Sequence, residues 1–158
     1  MSPQYQQFAD VGDLPRLAAE LRARTLVIDV EPLVAAWDGL QDALERGIDT
    51  VLDLVADTPG VQAICFSTNS ARRPSALRAV PGVEVIYLIS ARKPLVIAPY
   101  RRLPTPGVVV GDQVMTDGLL ARRLGYSFLH YRPLEPVPVG PRMLDRAGQL
   151  ARPLIFRH

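Results

Sequence analysis

The 158-residue chain has one cysteine, and only 6% of it is aromatic. A lone thiol, Cys65, excludes an internal disulfide and fits a reducing compartment. With so few rings, a core has to rest on Val, Leu, Ile and Ala. No apolar run approaches the ~20 residues of a membrane-spanning helix. The opening MSPQYQQFADVGDL has no basic stretch followed by an apolar one, so a secretion signal is not expected and a cytoplasmic location is. Excess charge is also missing. The formal net charge is +2, too small to favour nucleic acid. The pairs Arg72-Arg73, Arg101-Arg102 and Arg122-Arg123 have no interleaved aromatics and read as solvated helix faces. Lysine is nearly absent too: Lys93 is the one ammonium among 18 basic side chains.

The length suits one domain with a real core. Asp13 is placed to cap a short helix to about Arg22, with Leu14, Leu17, Ala18 and Leu21 on one face. Thr25–Ile28 is apolar without alternation, the pattern of a fully buried strand. Helical spacing runs from about Leu40 to Ala56, with Gly47 a candidate break. Further strands are expected at Val61–Phe66, Val83–Leu88, Gly107–Gly111 and Ser127–Tyr131. Helices are expected at Pro74–Ala79, from Pro94 to about Arg102, and from Thr116 to Leu124, the last stopped by Gly125. Strands alternating with helices predict an α/β fold: a doubly wound, mostly parallel five-stranded sheet. The domain spans 1–132, with its core from about 24. Residues 133–158 form a Pro-rich extension that carries four Arg and two acids, and therefore the whole net charge. One helix is expected in it, with Met143, Leu144, Ala147 and Leu150 on its apolar side.

Open parallel sheets bind ligands beyond the carboxyl ends of their strands. The first buried strand runs straight into Asp29 and, two positions on, Glu31. The second ends at Ser67 and Thr68. Lys93 follows the third, and Asp112 follows the fourth with Asp117 one turn further. Carboxylates gathered at one edge repel and call for a cation, and an oxygen-only set selects Mg²⁺. The kit suits phosphoryl transfer, with Asp29 attacking phosphorus, Ser67 bonding a phosphoryl oxygen and Lys93 neutralising charge. Each residue alone has a plainer reading. Single acids are usually caps or solvated loops, Ser67-Thr68-Asn69 alone resembles a helix N-cap, and His130 is too isolated for a metal site. Trp37 is equally suited to flap or core.

The segments DVEPLV at Asp29, FS at Ser67, ARKP at Lys93 and VVGDQVMTDGLLARRLGY around Asp112 resemble the haloacid dehalogenase superfamily. More narrowly they are similar to its subclass IIIA, the YqeG-like and phosphatidylglycerophosphatase-like branch. The resemblance covers about Leu26 to Tyr131. It implies a Rossmann-like core without a separate cap domain, and a Mg²⁺-dependent phosphomonoester hydrolase with Asp29 as nucleophile. It also implies Mg²⁺ held by Asp29, the Glu31 backbone carbonyl, Asp112 and, through water, Asp117. Ser67, Thr68 and Lys93 hold the phosphate, and Glu31 acts as general acid and base. That last position is normally Asp in the family, and Pro32-Leu33 replaces its usual polar pair.

The 38 residues from Asp29 to Ser67 and the 26 from Ser67 to Lys93 leave no room for a cap. An open site suits a large substrate, such as a phospholipid head group. Two other readings stay open. Glu31-Pro32-Leu33 fits a catalytically impaired module that binds phospho-ligands or partners, and the basic 133–158 extension fits docking to a protein or an anionic membrane.

Overall fold

The computed structural model describes residues 2–134. The expected helix around Met143–Leu150, and nearly all of the 133–158 extension, lie outside the described residues. Within them one parallel sheet of six strands is flanked by three helices, a Rossmann-like α/β arrangement. In chain order the elements are β1 (Tyr5–Phe8), α1 (Leu14–Glu20), β2 (Thr25–Asp29), α2 (Gln41–Val55), β3 (Ala63–Ser67), β4 (Glu84–Leu88), β5 (Gly107–Gly111), α3 (Leu119–Leu124) and β6 (Ser127–Tyr131). The strand order is β1-β6-β5-β2-β3-β4, and every neighbouring pair is parallel. No helix among the described residues is long and apolar enough to cross a membrane.

The central strands β2, β3 and β5 are buried on both faces, as their unalternating apolar sequences require. Side chains still alternate along each strand. Leu26, Ile28, Ile64, Phe66, Val108 and Val110 pack with α1 and α2 on one face. Val27, Cys65 and Val109 pack with α3, Tyr100 and Leu103 on the other.

The five-strand expectation is corrected to six. The additional strand, β1, pairs with β6 at the sheet edge. Its sequence YQQF has two glutamines and no apolar run, because an edge strand of four residues buries only Phe8 fully. Two expected helices do not form. Residues 74–79 are irregular, since so short a segment closes too few turns to offset nucleation. Its polar groups bind α2 instead: Ser75 N and Oγ donate to Glu45, and Arg78 donates to Asp53 at 2.6 Å. Residues 94–102 form successive turns, with Pro94 and Pro99 each removing a donor that a helix would need. The cap of the first helical segment is Asp10, not Asp13. Its carboxylate accepts from Gly12 N at 2.8 Å and starts a 3₁₀ turn that feeds α1.

Gly47 does not break α2, which is continuous. A Cβ there would lie 1.9 Å from the carbonyl oxygen of Val34. The glycine is where α2 lies against the loop that follows Asp29. The segment before α3 is a single π-helical stretch, Val114–Gly118, and Gly125 ends α3 at φ +71° as a left-handed C-cap.

Cys65 is fully buried, and burial pushes its thiol up to about 12. Iodoacetamide at pH 8 should therefore modify it only through opening of the fold, at least ~10³-fold more slowly than a free thiol. Mass spectrometry with and without urea reads this directly. Because the folded thiol titrates above its unfolded counterpart, the stability tied to it is intact below about pH 8.5 and falls as pH rises toward 12.

Candidate metal and phosphate site

Strand order reverses at β2, which has β3 on one side and β5 on the other. Crevices form at such switch points, beyond the carboxyl ends of the strands. Asp29 closes β2, and Asp112 is the first residue after β5. Ser67 is the register partner of Asp29 on β3. Following the alternation from Val27 and Cys65, the side chains of Asp29 and Ser67 share the face that carries α3 and Tyr100.

Asp117 reaches the same place from the π-helical stretch. It is fully buried. Its approach depends on Gly111, where a Cβ would lie 2.3 Å from Asp117 Oδ2. One oxygen each from Asp29, Asp112 and Asp117 lie within 4.8 Å of one another. Ligands on opposite sides of one Mg²⁺ are about 4.2 Å apart, given bonds of about 2.1 Å. At most one pair of three ligands can be opposite, and the other pairs are about 3.0 Å apart, so the acids would close by up to about 2 Å to share a single ion.

Lys93 lies among these acids with its side chain 3% exposed. Nζ donates to Asp29 Oδ1 at 2.6 Å and Asp117 Oδ1 at 2.8 Å, with the Ser67 carbonyl at 3.4 Å. These three acceptors match its three donors. Burial works to lower the lysine pKa, but the carboxylates of Asp117 and Asp29 outweigh it and raise the value, so the ammonium is charged. Burial, and then the Asp117 carboxylate, push Asp29 well above the usual carboxylate range, against the pull of Lys93. With all three acids ionised, one ammonium leaves a formal charge of minus two. A single divalent cation balances it, and each carboxylate has a second oxygen to offer. The donor set and its charge fit Mg²⁺.

The lysine is delivered by a constrained backbone. Ser90 and Arg92 adopt left-handed conformations at φ 45° and 52°, each costing on the order of 1 kcal/mol. Asn69 anchors the loop on both sides of one residue: its Oδ1 accepts from Lys93 N at 2.8 Å, and its Nδ2 donates to Lys93 O at 3.4 Å.

No family model, curated protein or solved structure matches the chain.

The remaining expected residues are close by but engaged elsewhere. Glu31 is buried, and its Oε2 accepts from Thr68 Oγ1 at 2.8 Å. Thr68 Oγ1 also meets Ser70 Oγ at 2.9 Å. Ser67 Oγ lies 2.6 Å from the Tyr100 hydroxyl. Thus Asp29, Asp112, Asp117 and Lys93 form one cluster, while Glu31 with Thr68 and Ser67 with Tyr100 are separate pairs beside it.

Several contributors have no local signature in the sequence. Arg72 is not a solvated helix residue: its guanidinium donates to the carbonyls of Ala36, Gly39 and Leu40 at 2.8, 2.6 and 2.9 Å. It fixes the loop that carries Trp37, which is 51% exposed and so lies outside the core. His130 is fully buried, with Nε2 2.9 Å from the Asp112 carbonyl and Nδ1 2.7 Å from the Tyr5 hydroxyl. A carbonyl only accepts, so Nε2 carries the proton and Nδ1 accepts from Tyr5. The edge strand β1 is thereby tied to the loop that presents Asp112.

Proposed function

We propose that the chain is a Mg²⁺-dependent phosphomonoester hydrolase of haloacid dehalogenase type, acting through an aspartyl-phosphate on Asp29. The observation that carries this reading is the convergence of Asp29, Asp112 and Asp117 around Lys93 at the switch point of the sheet. Asp29, Asp112, Asp117 and the Glu31 backbone carbonyl would hold the ion. Bound there, Mg²⁺ would neutralise phosphoryl charge.

An Asp29 carboxylate oxygen attacks phosphorus, and the bond from phosphorus to the ester oxygen breaks. The departing oxygen takes a proton from Glu31. A water then attacks the aspartyl-phosphate, gives its proton back to Glu31, and releases phosphate with Asp29 restored. Lys93 donates to Asp29 and opposes the burial that favours its protonated form. Ser67 donates to a phosphoryl oxygen, and Thr68 orients the Glu31 carboxylate it already binds. The described residues form a single sheet with its helices. A carboxyl edge without a cap domain would suit a bulky ester, a phospholipid among them.

One observation favours a weaker catalyst or a pure phospho-ligand binder. The Glu31 carboxylate is held by Thr68, and glutamate reaches about 1.5 Å further than the aspartate of the family. A misplacement of about 1 Å can cost roughly 10²-fold.

A screen of phosphomonoesters with Mg²⁺ and with EDTA separates the two. The hydrolase reading expects metal-dependent turnover that falls at least ~10³-fold in Asp29→Asn. It also expects Glu31→Asp to retain or raise the rate. An inert wild type beside an active Glu31→Asp variant would establish the binding module. Inertness of both, with no phosphate binding, would remove phosphoryl chemistry altogether.

A further inference from the structure

We propose that Tyr100 is the positioning residue for the anion site: it donates its hydroxyl hydrogen to Ser67 Oγ and so turns the Ser67 O–H toward a phosphoryl group on Asp29. This rests on the phosphoryl-transfer reading of the same site and adds a residue from a segment without regular structure.

The two hydroxyls are 2.6 Å apart and both residues are fully buried. At that distance one hydrogen lies between the oxygens, and either could supply it. Chemistry decides the direction. A phenol is a far stronger acid than an alkyl alcohol and therefore the better donor. Burial also pushes the Tyr100 phenol up to about 12, so it keeps its proton at neutral pH. With Tyr100 donating, Ser67 Oγ accepts on one of its lone pairs and its own hydrogen is directed elsewhere. The neighbouring strand position is Asp29, in register with Ser67 and facing the same side of the sheet. Parallel neighbours are about 4.8 Å apart, a spacing that an oxygen of a phosphoryl group on Asp29 would bridge. A Tyr100→Ser67→phosphoryl chain would also polarise the serine and strengthen its outer bond.

The alternative role for this contact is structural. Tyr100 belongs to the apolar cluster over β2, β3 and β5, and in that role its hydroxyl would serve only to hold the 94–104 segment down. The test separates the two. Full-length wild type, Tyr100→Phe, Ser67→Ala and the double variant are titrated with inorganic phosphate in the presence of Mg²⁺, by calorimetry or ³¹P line broadening. Their urea midpoints are measured in parallel. Tyr100→Phe removes one oxygen and keeps the ring, so the folded state is retained. The expected result is a loss of phosphate affinity of about fivefold in each single variant. The double variant is expected to be no weaker than Ser67→Ala alone, because the tyrosine acts through the serine. Unchanged affinity in Tyr100→Phe, with only the urea midpoint lowered, overturns the positioning role and leaves the hydrolase reading standing. So do strictly additive losses. A wild type that binds no phosphate overturns both.

Discussion

Lys93→Met is expected to lower the stability of the metal-free protein by about 3–5 kcal/mol, the usual consequence of removing one partner from a buried ion pair. The ammonium bridges Asp29 and Asp117, with its side chain 3% exposed. Methionine fills the volume but leaves two buried carboxylates facing each other, with Asp112 beside them. The loss should depend on pH, and its sign follows from linkage. Asp29 already titrates above its unfolded value, first through burial and then through Asp117. Such a group stabilises the fold at low pH and loses that contribution as pH rises from about 4. Removing the opposing ammonium raises it further. The deficit of the variant should therefore be smallest near pH 4 and grow toward neutrality, measured by urea unfolding in EDTA. Adding 10 mM Mg²⁺ should then stabilise Lys93→Met more than wild type, because the cation replaces the missing positive charge. Absent shifts in both proteins would count against a cation site at these acids, and equal shifts against the cation standing in for the ammonium.

The second large effect is expected at Gly111. An added methyl group would lie 2.3 Å from Asp117 Oδ2 and 2.4 Å from its Cγ. Asp117 is fully buried and also bound to Lys93, so it cannot give way without breaking that ion pair. Gly111→Ala should cost about 3 kcal/mol of stability. Mg²⁺ affinity, read by calorimetry, should fall at least ~10-fold. Gly82→Ala is the control. A Cβ there meets nothing within 4 Å, and only its φ of +75° stands against it, for about 1 kcal/mol. If the two alanines cost the same, close approach of Asp117 to β5 is not what Gly111 provides.

How much of this was legible in the sequence follows from where each residue sits. Asp29, Ser67 and Asp112 stand at the ends of apolar runs, and a buried parallel strand has almost no other sequence signature. Pattern alone therefore placed them at one edge. Lys93 was visible for a different reason, as the one ammonium in an arginine-rich chain. Tyr100, Asn69 and Arg72 were not legible as contributors, because they lie in turns whose path is set by contacts distant in sequence rather than by any period. His130 stands isolated in the sequence, yet one of its partners is a backbone carbonyl, which no side-chain motif reports. The expectation of five strands failed at YQQF, where a four-residue edge strand has one face toward solvent and needs no apolar alternation. The expected helices at 74–79 and 94–102 failed on proline and on length. Glu31 stands out in the sequence by type and position, but its hydrogen bond to Thr68 depends on the neighbouring strand.

β1 and β6 lie side by side, yet Tyr5 and its register partner Phe128 are separated by more than a hundred residues of intervening chain. During synthesis the earliest strand has no neighbour to join until the latest one has emerged. Non-local pairing of this kind slows folding. Until then β6's future edge partner waits, and the Tyr5–His130 bond behind Asp112 cannot form. The edge that carries Asp112 should accordingly be among the last parts of the molecule to acquire its final shape.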